Sequence, residues 1–278
     1  MSEKLKATIK FISSIALLLV AYVPTINWML DRWFAKESYY GHGFLIPLVS
    51  LFIVWQRKDI LKKCKISAET TGLWIAAAGI LIHIICAALK VYFMSGFSFI
   101  FVLYGLILFF FGKEITRNLI FPIFFLFAMV PLPLVIIGNL VVRLKLAAIQ
   151  CSVFILNHIG FSSIKDGSII KMPGSFLVIG DPCSGLRSLI SLLTLGALFA
   201  FTMKMSYIKK ALFLLASVPI AIASNVLRIT LLCVINDLYG EKVLGYFHDP
   251  SGFLVFAFAF VALFTTGKAL EEKPNENK

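Results

Sequence analysis

Charge is scarce in this chain. Asp, Glu, Lys and Arg supply only 14% of its 278 residues, and acidic residues occupy 14 positions against 26 basic ones. A water-soluble domain of this length needs a far larger polar share to cover its surface. Also missing is the alternation of polar and apolar residues, in segments of about 10, that marks a transmembrane barrel. Cysteines are few and ill-matched. Cys64, Cys86, Cys151, Cys183 and Cys233 form neither a zinc spacing nor a CxxC pair, and their number is odd. That pattern predicts no disulfide framework and at least one free thiol, and gives no reason to expect a metal or other cofactor. Internal repeats and low-complexity tracts are lacking too.

What fills the chain instead is apolar sequence. Hydrophobic residues make up 60% of it, and its mean hydropathy is +0.94. Several runs reach the roughly 20 residues that cross a hydrocarbon core. Long, non-alternating runs cross as helices, because each backbone group must be satisfied within its own segment. The expected fold is an all-α polytopic membrane protein, a single integral membrane domain over 1–278. About eight transmembrane helices are expected, near 9–30, 42–56, 71–90, 95–112, 117–137, 186–203, 208–230 and 251–267. The first reads as a retained helix, since no clean cleavage site follows it. The segment 139–158, with Arg143, Lys145 and Gln150 early in it, reads as an amphipathic helix at the interface. Residues 163–180 alternate around Asp-Gly and Pro-Gly and predict a short hairpin or loop.

Loop charges suggest an orientation. Most basic residues fall in one set of segments: the N-terminus, the loop from Arg57 to Lys65, the turn with Lys113 and Arg117, Lys204 to Lys210, and the tail. The positive-inside rule makes that set cytoplasmic. Both termini are then inside, provided that 139–158 does not cross. The net charge of +12 is accounted for in this way, and no nucleic-acid partner is expected. Loop 160–185, the end of the span carrying Arg228, the stretch around His248, and His42 then share the outer face.

The chemistry concentrates in residues 181–253. In GDPCSGLR, Asp181 and Pro182 are helix-start signals. They predict that Cys183 sits at a helix N-terminus, where the macrodipole lowers a thiol pKa. Arg187, four residues on, then shares its face and favours the thiolate, the attacking species in acyl transfer. A cysteine in a membrane helix is more often a small apolar filler, and Cys86, Cys151 and Cys233 keep that reading. In ASNVLRITLL, Arg228 is a charge within a span, with Asn225 on its face; snorkelling to the interface is the plain alternative. In GYFHDPSGF, His248 stands at the mouth of the last span. It suits general acid or base work, or simple capping. His83 and His158 read as structural.

Together CSGLR, NVLRI and HDPSG resemble the motifs of the exosortase/archaeosortase family, in the family's order. YYGHGFLIPLVSLFIVWQRKD resembles its N-terminal His-Gly block, and MVPLPLVIIGNLV its mid-chain Pro-x-Pro block. The resemblance implies a membrane cysteine protease or transpeptidase. Such an enzyme cleaves C-terminal sorting signals of the PEP-CTERM kind and passes the acyl group to a lipid or glycan acceptor. It implies Cys183 as the nucleophile that forms an acyl-thioester. Arg228 follows as proton donor or electrostatic stabiliser, and His248 as transition-state stabiliser or acid/base. Arg187, Asn225 and His42 are supporting candidates. Histidine at the third position implies the bacterial branch, and with it the inner membrane. The competing reading is a transporter or export-complex component without peptidase chemistry.

Overall fold

The computed structural model describes residues 3–272, apart from the side chains of residues 3–7, 182, 248 and 249. The chain is predominantly helical and divides into two compact units, 1–133 and 134–278.

The first unit opens with α1 (Glu3–Ala21) and α2 (Val23–Trp33), which meet at a 67° bend. Pro24 lies in the first turn of α2, where proline is tolerated but an incoming helix is not continued. A buried polar chain sits at the bend. Thr25 Oγ1 lies 2.6 Å from Ser95 Oγ, Ser95 Oγ lies 2.7 Å from His83 Nδ1, and His83 Nε2 lies 3.2 Å from the Ala21 carbonyl. A carbonyl only accepts, so Nε2 carries the proton, Nδ1 accepts from Ser95, and Ser95 accepts from Thr25. His83 is thus a satisfied structural residue.

Helices α5 (Thr70–Ala88) and α6 (Tyr92–Phe111) pack through small residues. A Cβ on Gly72 would stand 2.5 Å from the Gly105 carbonyl, and one on Gly105 would stand 2.6 Å from Ala76 N. Such spacing lets two helix backbones touch where no hydrophobic force drives them together. Between these pairs lie α3 (Leu45–Gln56) and α4 (Lys58–Lys63), and α7 (Lys113–Phe125) follows α6. The helix expected over 117–137 does not form as one piece. After α7 and a 3-10 turn at Leu126–Met129, Val130 turns extended at ψ 114°, as a residue before proline must.

The second unit begins with α8 (Leu134–His158). The sequence predicts an interfacial amphipathic helix over 139–158 here. Helix α8 starts five residues earlier than 139, spans 25 residues, and is apolar enough to cross a membrane. Its polar groups form no stripe. Arg143 and Gln150, seven residues apart, are exposed together, while Lys145 turns the other way into the protein. A crossing by α8 removes the condition on which the termini and the later loops were given their sides above.

Three antiparallel strands follow in the order β1 (Ile164–Asp166), β2 (Ile169–Met172), β3 (Ser175–Val178). The expected hairpin is therefore a meander. Ile170, Met172 and Leu177 fill its buried face, and Ile164, Phe176 and Val178 lie outward, the alternation a half-buried sheet requires. Lys171 bonds Asp166 and holds that carboxyl below the usual range.

Helix α9 (Leu186–Thr202) and the long α10 (Tyr207–Leu270) complete the unit. Helical assignment in α10 runs through Gly240, whose φ of 78° and ψ of 175° are not helical. The chain doubles back there. A Cβ at Gly267 would touch Phe213, and one at Gly252 would touch Arg228; both pairs are centred on residue 240. Without the turn, Arg228 and Ser251 would stand about 35 Å apart along one helix. Instead Arg228 Nε donates to Ser251 Oγ at 3.1 Å.

Among the described residues, five helices suit a membrane crossing in length and composition: α5, α6, α8, Tyr207–Phe247 and Pro250–Leu270, with the bent α1–α2 pair as a sixth. The eight spans expected included 42–56, 117–137 and 186–203. Their helices α3, α7 and α9 have 12, 13 and 17 residues, short of the usual span.

Candidate active site

Strand β3 delivers the chain to the site. Its edge is clasped by α10, where Asn236 Nδ2 donates to the Phe176 carbonyl and Ser175 Oγ to Asp237 Oδ1, both at 3.0 Å. Ile179 N donates to Ser168 O, and Gly180 is extended. Residues Asp181–Ser184 then form a single 3-10 turn closed by Cys183 N donating to Gly180 O at 3.1 Å.

That turn is not the first turn of α9. Gly185, at φ 82° and ψ −4°, breaks the helix and is the residue that caps α9. The expected cap, Asp181, lies inside the 3-10 turn, whose own N-cap is Gly180. Cys183 consequently lies three residues ahead of the first α9 residue, and the i, i+4 relation to Arg187 does not apply across the break. The cause is long-range. The Asn225 side chain occupies the place of a Cβ at Gly185, with Cγ, Cβ and Nδ2 all at 2.7–2.9 Å. Only glycine offers both that space and the left-handed backbone without cost.

Cys183 is buried, 4% exposed, in an apolar cluster with Ile170, Ile179, Val226, Ile229 and Cys233. It forms no disulfide. Its carbonyl accepts from Asn225 Nδ2 at 2.9 Å, so Asn225, itself buried, joins the turn to α10. Ser184 is buried as well, and its Oγ accepts from Leu186 N at 3.4 Å. From the other side Lys145 Nζ reaches Asp181 Oδ1 at 2.8 Å. Beside the turn a cleft lined by Leu144, Ala148, Ser184, Gly185, Leu189, Ile222 and Asn225 holds about 10 Å³, room for one water.

Three residues along α10 from Asn225 stands Arg228, half buried. Its guanidinium carbon and two terminal nitrogens lie 3.4–3.6 Å from where a Cβ on Gly252 would be, in ordinary van der Waals contact with that backbone. Arg187 is exposed in the first turn of α9. The side chain of His248 lies outside the described residues. Ser251 and Gly252, the partners of Arg228, belong to the same HDPSG stretch. His42 belongs to the first unit. It is half buried, its ring 6.2 Å from that of Tyr40, and burial lowers its pKa.

The structure therefore joins Cys183 to Asn225 and Arg228 to Ser251–Gly252, and it adds residues the sequence did not flag as site residues: Lys145, Ser251 and Gly252. Lys145 had left a signal, a lone cation on one face of an apolar helix. The sequence matches a family model described as transmembrane exosortase over residues 33–265. No curated protein and no solved structure matches it.

Proposed function

The chain belongs to the transmembrane exosortase family, and from that premise we propose that it is a membrane-embedded cysteine transpeptidase acting on proteins with C-terminal sorting signals. One observation carries the reading. Asn225 ties the Cys183 turn to α10 three residues before Arg228, so two of the family-type motifs share one hydrogen-bonded joint.

In the proposed reaction the Cys183 thiol loses its proton to His248, and Sγ attacks the carbonyl carbon of the scissile peptide bond. Arg228 faces the developing oxyanion. A guanidinium held by Ser251 needs little reorganisation as charge builds there, and it is worth most where water is excluded. Arginine stays protonated at ordinary pH, so Arg228 stabilises charge and His248 moves the proton. The carbon–nitrogen bond breaks, and His248 returns the proton to the departing amine. An acyl-thioester on Cys183 remains. A hydroxyl or amine of a lipid or glycan acceptor then attacks it, loses its own proton and regenerates the thiol. Arg187 adds positive charge at the start of α9. The proposed setting is the inner membrane of a bacterium, with Cys183 on its outer face. The substrate carries a short motif, a transmembrane helix and a basic tail, as in the PEP-CTERM type.

The test is co-expression with such a substrate. Cys183→Ala and Cys183→Ser are each expected to leave only full-length precursor. The native enzyme should accumulate a hydroxylamine-sensitive adduct on Cys183. Processing that survives both substitutions overturns the proposal.

A further inference from the structure

A lysine in the middle of an apolar helix calls for an explanation, because charges in such helices are costly and as a rule have both a partner and a task. Lys145 is 12% exposed, and its ammonium sits 2.8 Å from Asp181 Oδ1, on a side chain that is 64% exposed. A lysine that merely snorkels runs its head out to water. Lys145 stays against the protein and ends on one carboxylate, that of the residue opening the Cys183 turn. Its neighbours Leu144 and Ala148 wall the cleft beside Ser184 and Gly185, so α8 faces the turn over a full helical turn. Two side chains from two helices thus grip four residues. Lys145 of α8 holds Asp181, and Asn225 of α10 holds the Cys183 carbonyl. With the turn severed from helical continuity at Gly185, α9 cannot hold it by backbone alone.

We propose that Lys145 is a positioning residue. Its pair with Asp181 latches the Cys183 turn against α8 and fixes the thiol in the geometry from which it attacks. The link to activity rests on the transpeptidase reading; the latch itself does not.

Two readouts keep these apart. The first is the rate of Cys183 alkylation in native membranes, followed by peptide mass spectrometry. The second is substrate processing. A thiol buried by a latched turn reacts only when the turn opens, so Lys145→Met and Asp181→Asn are each expected to raise alkylation about tenfold and to lower processing at least about tenfold. Lys145→Arg is expected to keep both near native, and Lys145→Glu combined with Asp181→Lys to recover most of the loss. If Lys145→Met fails to accumulate, Asp181→Asn, altered at the exposed end of the pair, gives the same readout. Lys171→Met, which cuts the exposed pair with Asp166, should change neither. Native alkylation rates in both latch variants, or an equal rise in Lys171→Met, overturn the latch. Absent processing in the native chain, with the alkylation pattern intact, fails the transpeptidase reading and leaves the latch standing.

Discussion

In the first unit, one group of buried polar side chains bonds within itself. Thr25, Ser95 and His83 form a chain that ends on a carbonyl at the α1–α2 bend, and Tyr22 bonds Ser98. Donors and acceptors in that chain pair off among neutral groups. In the second unit they reach across to hold a short segment. Lys145 and Asn225 seize the Cys183 turn, Arg228 takes Ser251, and Asn236 clasps β3. Ser224 Oγ, one residue before Asn225, is buried with no hydrogen-bond partner among the described residues. A closed neutral network stiffens a bend and needs nothing further. Charges and amides aimed at one irregular turn make sense only if that turn has to be in a particular place.

The contrast can be broken most severely at Gly185. Gly185→Ala puts a Cβ onto Asn225 and strains the left-handed backbone, a cost of about 1–3 kcal/mol. Displacement of the turn by an ångström is enough to lose about 100-fold in activity. Processing assays on matched amounts of folded protein should show that loss. Next is His83→Ala, which strands Ser95 and the Ala21 carbonyl at a cost of about 1–3 kcal/mol. Thermal unfolding in detergent should report it, with processing per folded molecule unchanged; a specific activity that fell with it would erase the distinction between the units.

The smallest effect concerns pH. Burial favours the neutral form of His42 and lowers its pKa from 6.5. Its stabilising contribution is therefore full above the unfolded value of 6.5 and is lost as pH falls below that value toward the lowered folded one. Melting curves of the native chain and His42→Gln should converge at low pH and separate above pH 6.5.

Much of this was legible in the sequence because it depends on local pattern. The apolar runs, the motif cysteine, Arg228 and the Asp-Gly and Pro-Gly turns of the meander all carry their signal within a few residues. The start of α9 was not legible. Asp181-Pro182 has every mark of a helix start, yet the helix begins at Leu186, because Asn225, forty residues on, occupies the space at Gly185. The extent of α10 was hidden for a related reason. Asn236 and Asp237 resemble the end of a span, but they are helical residues whose polarity serves β3. Lys145 suggested an interfacial helix because its partner lies 36 residues away. In each case the deciding partner was protein distant in sequence.

The turn of the α10 hairpin has a consequence that concerns handedness alone. Nothing lies within 4 Å of a Cβ built on Gly240, so space does not forbid a side chain. The backbone does. A φ of 78° with ψ of 175° lies in a region essentially reserved for glycine, outside the left-handed well that asparagine tolerates. Reflected, the same angles are those of an ordinary extended residue. A D-alanine would therefore sit at 240 at ease where L-alanine strains, and the reversal that brings Ser251 to Arg228 depends on the one coded residue that is not chiral.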